Sequence, residues 1–361
     1  MTGPKDWLES FLKPDPQGAE RRTAERRSVE QLAAYRWNGH NLKREPVRDI
    51  SSTGLYILTE ERWQHGTLLL LILQREGPLA MNPESRIEVQ ARVVRSGDDG
   101  VGLTYVLPED AESRHWESLR ENLIERAKPE DMRSLVRMAE AVTFLSRICS
   151  GAAETIGPLL REKLSNHKLS NAVSITLKAE SLLAVEHVSD KLRADPSVVA
   201  RILEDGSCTE EEWLKHFWGG LLATSCSADG KDKSSLTFVE LLAHLTTFQV
   251  RILTVVCTRA TKVLTESETI SAMPLACKIE DLMLTTGSRG LQFERDLARL
   301  SELELIEKRD SDSPALSASG ETYITPTLLG LQLFAHCNGH RGSLREFYTA
   351  DSPAAPPRVN P

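Results

Sequence analysis

The chain has 361 residues, too many for one small hydrophobic core and in the size range of two or three domains. Its formal net charge is -8, and the acidic excess is spread evenly: 19 Lys and Arg oppose 22 Asp and Glu in residues 1–130, and 24 oppose 29 in residues 131–350. That balance excludes a broadly basic nucleic-acid surface.

The first residues, MTGPKDWLESFLKPD, show neither the apolar core nor the cleavage pattern of a signal peptide. The longest apolar run, Leu68 to Leu73, is far too short to cross a bilayer. Cys149, Cys208, Cys226, Cys257, Cys277 and Cys337 lie far apart without a CxxC pair, in segments that read mainly as helical. They are expected to be reduced, mostly buried thiols of a cytoplasmic protein.

From Tyr35 to Val106 the pattern is that of strands: EPVRDIS, GLYILT, TLLLLIL, IEVQARVVR and GVGLTYV are short runs of β-formers separated by Gly, Asp, Asn or Pro. In IEVQARVVR the apolar Ile87, Val89, Ala91 and Val93 alternate with Glu88, Gln90 and Arg92, the period of a strand with one wet face. Five or six such strands without helical crossovers predict a small antiparallel barrel. After LPED the period becomes helical. Trp116, Leu119, Leu123 and Ile124 mark a connector helix ended by Pro129. DPSVVARILEDG reads as a short helix with Asp195 as N-cap, Pro196 at the first position and Gly206 just past the end. TEEEWLKHFWGGLL opens with Thr209 and Glu212 at capping-box spacing. TFVELLAHL and FQVRILTVVCTRATKVL read as amphipathic helices. LQFERDLARLSELELIEKR is a helix running into a strand, SDSPALSASG a polar loop, and ETYITPTLLGLQLFAHC a strand followed by a helix that Pro326 can begin. Helix, strand, hairpin, strand is the order of a winged-helix unit. From Ser352 the chain reads as a disordered tail.

The chemistry becomes specific at RDISSTG, where Asp49, Ser51 and Gly54 stand at DxSxxG spacing before a strand. Asp and Ser at alternate positions of an extended chain point to one side, offering a carboxylate and a hydroxyl together. Gly54 leaves the backbone free to turn and lets a flat ligand approach closely. Upstream, ERRTAERR holds Arg22 and Arg26 at RxxxR spacing. The two motifs in this order, followed by GT at 66–67, ARVVR at 91–95 and GVGLTYV at 100–106, resemble the PilZ domain, a bacterial receptor module for cyclic di-GMP, over roughly residues 20–110. The resemblance implies that Arg22 and Arg26 contact phosphate and lie against guanine faces, while Asp49, Ser51 and Gly54 cradle a guanine edge. Guanidinium is a planar, permanently charged fork suited to both tasks, and lysine is not. Arg21 is a third candidate, since in the family an arginine there often accompanies a stacked ligand pair. In this chain Arg27, Ser28, Glu30 and Gln31 intervene before Leu32, where family members enter an apolar strand directly, so the register of the first strand stays open.

In the larger half, EEEWLKHFWGGLLATSCS, LTFVELLAHLTTFQVRIL and YITPTLLGLQLFAHC resemble the Abi-alpha family, which is associated with abortive infection and implies no active site. The likeness rests on apolar spacing and on Trp213, Leu221, Leu222, Phe238 and Leu253. No catalytic grouping emerges. His336, Cys337 and His340 lack a second ligand cluster, so no metal site is expected. SGETYIT and TTGSRG lack the strand and helix of a phosphate loop. Trp213, Phe217 and Trp218 read as core residues of one helix face. Arg295 and Arg299 alternate with Glu294, Asp296 and Glu302, a balance unlike a DNA-facing helix.

The predicted organisation is an N-terminal arm (1–19), a PilZ-like barrel (20–110), a helical connector (111–129), a helical Abi-alpha-like domain (130–345) with a winged-helix-like end near 290–340, and a tail (346–361). The expected function is a non-enzymatic cyclic di-GMP receptor without a cofactor, in which ligand binding orders the arginine arm and signals through the helical half to a protein partner or a second copy. The alternative is an interaction or phage-defence component whose barrel is only structural, and a DNA-binding regulator is a third class.

Overall fold

The computed structural model describes residues 27–28, 32–37, 41–75, 86–106, 111–128, 131–149, 151–185, 192–265, 268–287, 290–309 and 321–349. The chain divides into two compact units, residues 1–146 and 147–361.

The first unit is built on seven strands: β1 (Arg27–Ser28), β2 (Leu32–Trp37), β3 (Leu42–Ser51), β4 (Gly54–Leu58), β5 (Leu68–Arg75), β6 (Arg86–Ser96) and β7 (Gly100–Tyr105). All pairings are antiparallel, and the order β3-β2-β5-β6-β7-β4 closes on itself through β3 and β4, which makes the expected barrel. The interior is the apolar side of each alternating strand, with Val47, Ile50, Ile57, Leu71, Val93 and Val101 among its buried residues. Strand β5 is buried on both faces over Leu69–Leu73, which is why its sequence runs apolar without alternating. Its outward Ile72 packs against Leu135 and Val136 of helix α2 (Met132–Ile148), with Ile124 of α1 (Ala111–Ala127) against the same cluster.

Short β1 answers the question of register. Arg27 lies opposite Ile50 and Ser28 opposite Asp49, so the chain pairs with β3 directly after the position of the second arginine of RxxxR. Arg21, Arg22 and Arg26 themselves, the arm (1–19), the polar loop at 311–320 and residues 350–361 of the tail lie outside the described residues, whereas 346–349, expected to be tail, belong to a helix, Leu344–Thr349.

Helix α1 is tied to the barrel by charge as well as by apolar contact. Arg120, 4% exposed, places Nε 2.5 Å from Glu88 Oε2 on β6, yet neither atom has an aligned hydrogen-bond partner among the described residues. Burial pushes the Glu88 carboxyl up to about 7 against the opposing pull of Arg120. A carboxyl whose folded pKa lies above its unfolded value binds its proton more tightly when folded. Its contribution to stability is therefore complete below 4.5 and is lost as pH rises through about 7. The full difference is on the order of 3 kcal/mol. Urea midpoints are expected to fall between about pH 5 and about pH 8, and Glu88→Gln to flatten that fall. A midpoint that rises over this range, or a variant as pH-sensitive as the parent, would refute the assignment.

The second unit is mainly helical: α3 (Ala153–Pro158), α4 (Asn166–Val185), α5 (Pro196–Gly206), α6 (Glu212–Thr224), α7 (Leu236–Ala243) and α8 (Thr247–Arg259), with a π turn at Leu159–Lys163. Asp195 caps α5 as predicted, accepting from Ser197 N at 2.9 Å. Two other terminus readings are corrected. Gly206 belongs to α5, and Ser207 closes it in a right-handed conformation. A Cβ at Gly206 would come within 2.8 Å of Trp218, so tight packing, not a left-handed cap, explains this glycine. Thr209 does not begin α6, whose N-cap is Glu211, and the capping box sits instead at Thr246 and Gln249 on α8. Buried Phe217 and Trp218 serve the core as expected, and Trp213 is half-buried with its ring edge-on to Phe217 at 5.8 Å.

FQVRILTVVCTRATKVL is helical only to Arg259. Its end forms β8 (Lys262–Leu264), paired with β9 (Ile270–Ala272). Next come β10 (Leu275–Lys278), α9 (Ile279–Thr286), α10 (Gly290–Glu302), β11 (Ile306–Arg309), β12 (Glu321–Pro326), α11 (Leu328–Cys337) and α12 (Leu344–Thr349). The last three of these strands form a sheet in the order β10-β12-β11, so Cys277 lies on a strand. Thr327, rather than Pro326, caps α11 by accepting from Gly330 N at 3.0 Å. All six cysteines are free; Cys208 is exposed and Cys277 half-buried.

Candidate functional site

The β3–β4 hairpin turns through Ser52 and Thr53, with Ser51 paired to Gly54. The Ser51 hydroxyl donates to Gly54 O at 3.1 Å and stands 3.4 Å from the Thr53 amide, so it shapes the turn. Ser51 is buried and the Asp49 side chain is 17% exposed; both lie on the face opposite the core residue Ile50. Gly54 does not adopt a left-handed conformation. It needs space instead, because a Cβ there would stand 2.0 Å from Leu103 O on β7. The structure thus brings Asp49, Ser51 and Gly54 together on one hairpin, with Ser28 opposite Asp49.

A second set of groups around this hairpin was not singled out by sequence. Val47 pairs with Ile57 and Asp49 with Tyr56, so Arg48 is the extra residue of a β-bulge. In a regular strand neighbouring side chains point to opposite faces. The bulge lets Val47 and Ile50 both enter the core while Arg48 and Asp49 both face outward. Arg48 Nε then stands 3.2 Å from Asp49 Oδ2, and its guanidinium lies 3.6 Å over the Tyr56 ring. Its Nη1 reaches both carboxylate oxygens of Asp99, in the β6–β7 turn, at 3.3 and 3.2 Å. Tyr56 completes the ring of contacts by donating its hydroxyl to Asp99 Oδ1 at 2.7 Å. That bond, and with it the charge of Arg48, holds the Asp99 carboxyl below the usual carboxylate range. Burial pushes the Tyr56 phenol up, which keeps it a donor. A second bulge between Val93 and Arg95 sets Arg95 opposite Gly102, with its guanidinium 5.4 Å from the centre of the Tyr56 ring. Arg48 stands inside RDISSTG and Asp99 inside the turn sequence SGDDG, residues 96–100; what the sequence lacked was the bulge and the cross-strand register.

A PilZ domain model matches residues 20–123, and an abortive infection alpha model matches residues 170–337. The chain joins a PilZ domain to an abortive infection alpha region. PilZ domains bind cyclic di-GMP as receptor modules, not as catalysts. The PilZ match runs past the barrel into α1, so it includes the buried Arg120. No curated protein matches the chain.

The abortive infection alpha region carries little chemistry. Among the described residues no three His, Cys, Asp or Glu side chains are grouped to hold a metal. His336 stacks on Phe238 at 4.4 Å, and burial lowers its pKa. On α10, Arg299 pairs with Glu302 at 3.2 Å, and Lys308 of β11 pairs with Glu294 at 3.2 Å, so each of these two cations is locally balanced. No helix of the described residues is long and apolar enough to cross a membrane.

Proposed function

We propose that this chain is a cytoplasmic cyclic di-GMP receptor in which Arg22 and Arg26, with Arg21 beside them, close over the phosphates, while Asp49, Ser51 and Gly54 take a guanine edge. The observation that supports the reading is the pairing of β1 with β3: Arg27 lies opposite Ile50 and Ser28 opposite Asp49, so the chain that follows the arginine pair runs beside the strand that carries Asp49 and Ser51. A small dianion needs such a local clamp, not a basic protein, which fits a net charge of -8. Closure of the arm is the signal, and the abortive infection alpha region is the output half, acting on a protein partner or a second copy of the chain.

Calorimetric titration of the full-length protein with cyclic di-GMP tests this. Saturable binding is expected, weakened at least about tenfold by Asp49→Ala or Arg22→Ala through loss of a charge-assisted hydrogen-bond partner. A folded protein that gives no heat, or variants that bind as the parent does, would reject the assignment. Ligand-dependent hydrogen exchange within residues 170–337 is the expected sign of signalling. Its absence would leave a receptor without this output.

A further inference from the structure

Arg48 contacts the carboxylate that the proposed reading assigns to guanine, and the chemistry of the two groups is alike. The N1–H, C2 and N2–H edge of guanine is itself a guanidine unit that presents N–H donors to a carboxylate, and an arginine side chain presents donors of the same kind. Arg48 Nε already occupies Asp49 Oδ2 at 3.2 Å. We propose that Arg48 is an internal mimic of the guanine edge: it competes for Asp49, is displaced when cyclic di-GMP binds, and so sets the affinity of the site. This rests on the reading of Asp49 as the guanine acceptor.

The geometry supplies both halves of such a gate. The bulge at Arg48 puts competitor and acceptor on one face, which a regular strand would forbid. Displacement then costs Arg48 only one of its contacts. Its Nη1 keeps both Asp99 oxygens, at 3.2 and 3.3 Å, and its plane keeps the Tyr56 ring at 3.6 Å. Tyr56 holds Asp99 in place through its hydroxyl, so the alternative seat for the guanidinium is fixed before the ligand arrives. Asp49 is therefore half of a shared pair: Arg48 can lean on either carboxylate, and only one of them is wanted by the ligand.

Two substitutions of opposite expected sign test the gate in the full-length protein, with cyclic di-GMP as titrant and calorimetry as readout. Arg48→Gln removes the competing charge and is expected to tighten binding roughly two- to fivefold, the range of a partly exposed ion pair. Asp99→Asn removes the alternative seat, leaves Arg48 dependent on Asp49, and is expected to weaken binding by about the same factor. The double variant is expected to bind as Arg48→Gln does, since without the arginine the seat has no purpose. Binding by Arg48→Gln that is unchanged or weaker than the parent's overturns the gate and leaves the receptor reading standing. Tighter binding by Asp99→Asn overturns the seat. If parent and Arg48→Gln both fail to bind while folded, the receptor reading itself fails and takes the gate with it; a silent parent rescued by Arg48→Gln supports both.

Discussion

Gly54→Ala is expected to open the barrel seam and cost about 3 kcal/mol of stability, the upper part of the range for an overpacked site. The added Cβ would stand 2.0 Å from Leu103 O and 3.0 Å from Thr104 Cα, both backbone atoms that cannot rotate away. Strand β4 joins β7 to β3 and so closes the ring; moving it from β7 loosens the closure itself. Hydrogen exchange should report lost protection in Gly54–Leu58 and Gly100–Tyr105, with the strands on the far side of the barrel less affected. Asp49→Ala is the control, because it removes the carboxylate without touching the seam. If Gly54→Ala weakened ligand binding while leaving exchange and stability as in the parent, the glycine would serve the ligand alone and the packing argument would be wrong.

Gly220→Ala sets two effects against each other, and their sizes decide the outcome. Alanine in place of a helix-interior glycine gains about 1 kcal/mol of helix propensity. The same Cβ, however, would stand 2.0 Å from Cys337 O and 2.9 Å from Gly339 N, where α6 runs against the end of α11. Separating two close-packed backbones costs about 3 kcal/mol. The clash wins, for a net loss of about 2 kcal/mol and a fall in Tm of roughly 5 °C for a unit of this size. Exchange should rise in Glu212–Thr224 and Leu328–Cys337 while the barrel keeps its protection. A variant more stable than the parent would mean that the helices part easily and that propensity governs.

Period and motif made much of this molecule legible before any coordinates. Alternation in IEVQARVVR and the apolar run of TLLLLIL are local signals, and they became β6 and β5. DxSxxG is carried by covalent spacing, so it was readable as a motif, as was the arginine pair upstream, and the structure brings Asp49, Ser51 and Gly54 onto one hairpin. Termini were read less well. Thr209 and Glu212 had capping-box spacing, yet the chain enters α6 two residues later, because spacing records which caps are available and not where packing starts the helix. Gly206 looked like a stop signal and is a packing residue under Trp218.

What the sequence by itself determined is the order of a strand-rich and a helix-rich part, the spacing of the motif residues Asp49, Ser51 and Gly54, and the evenly spread acidic excess. Each depends on neighbours within one element or on composition. Only the tertiary structure decided that Arg48 shares its face with Asp49, that Asp99 and Tyr56 hold that arginine, and that β1 pairs beside the hairpin. Those facts come from one extra residue in a strand and from pairings between positions up to 51 apart in the chain; the three-residue step from Val47 to Ile50 breaks the hydrophobic period but does not say which residue is extra or which groups it will face.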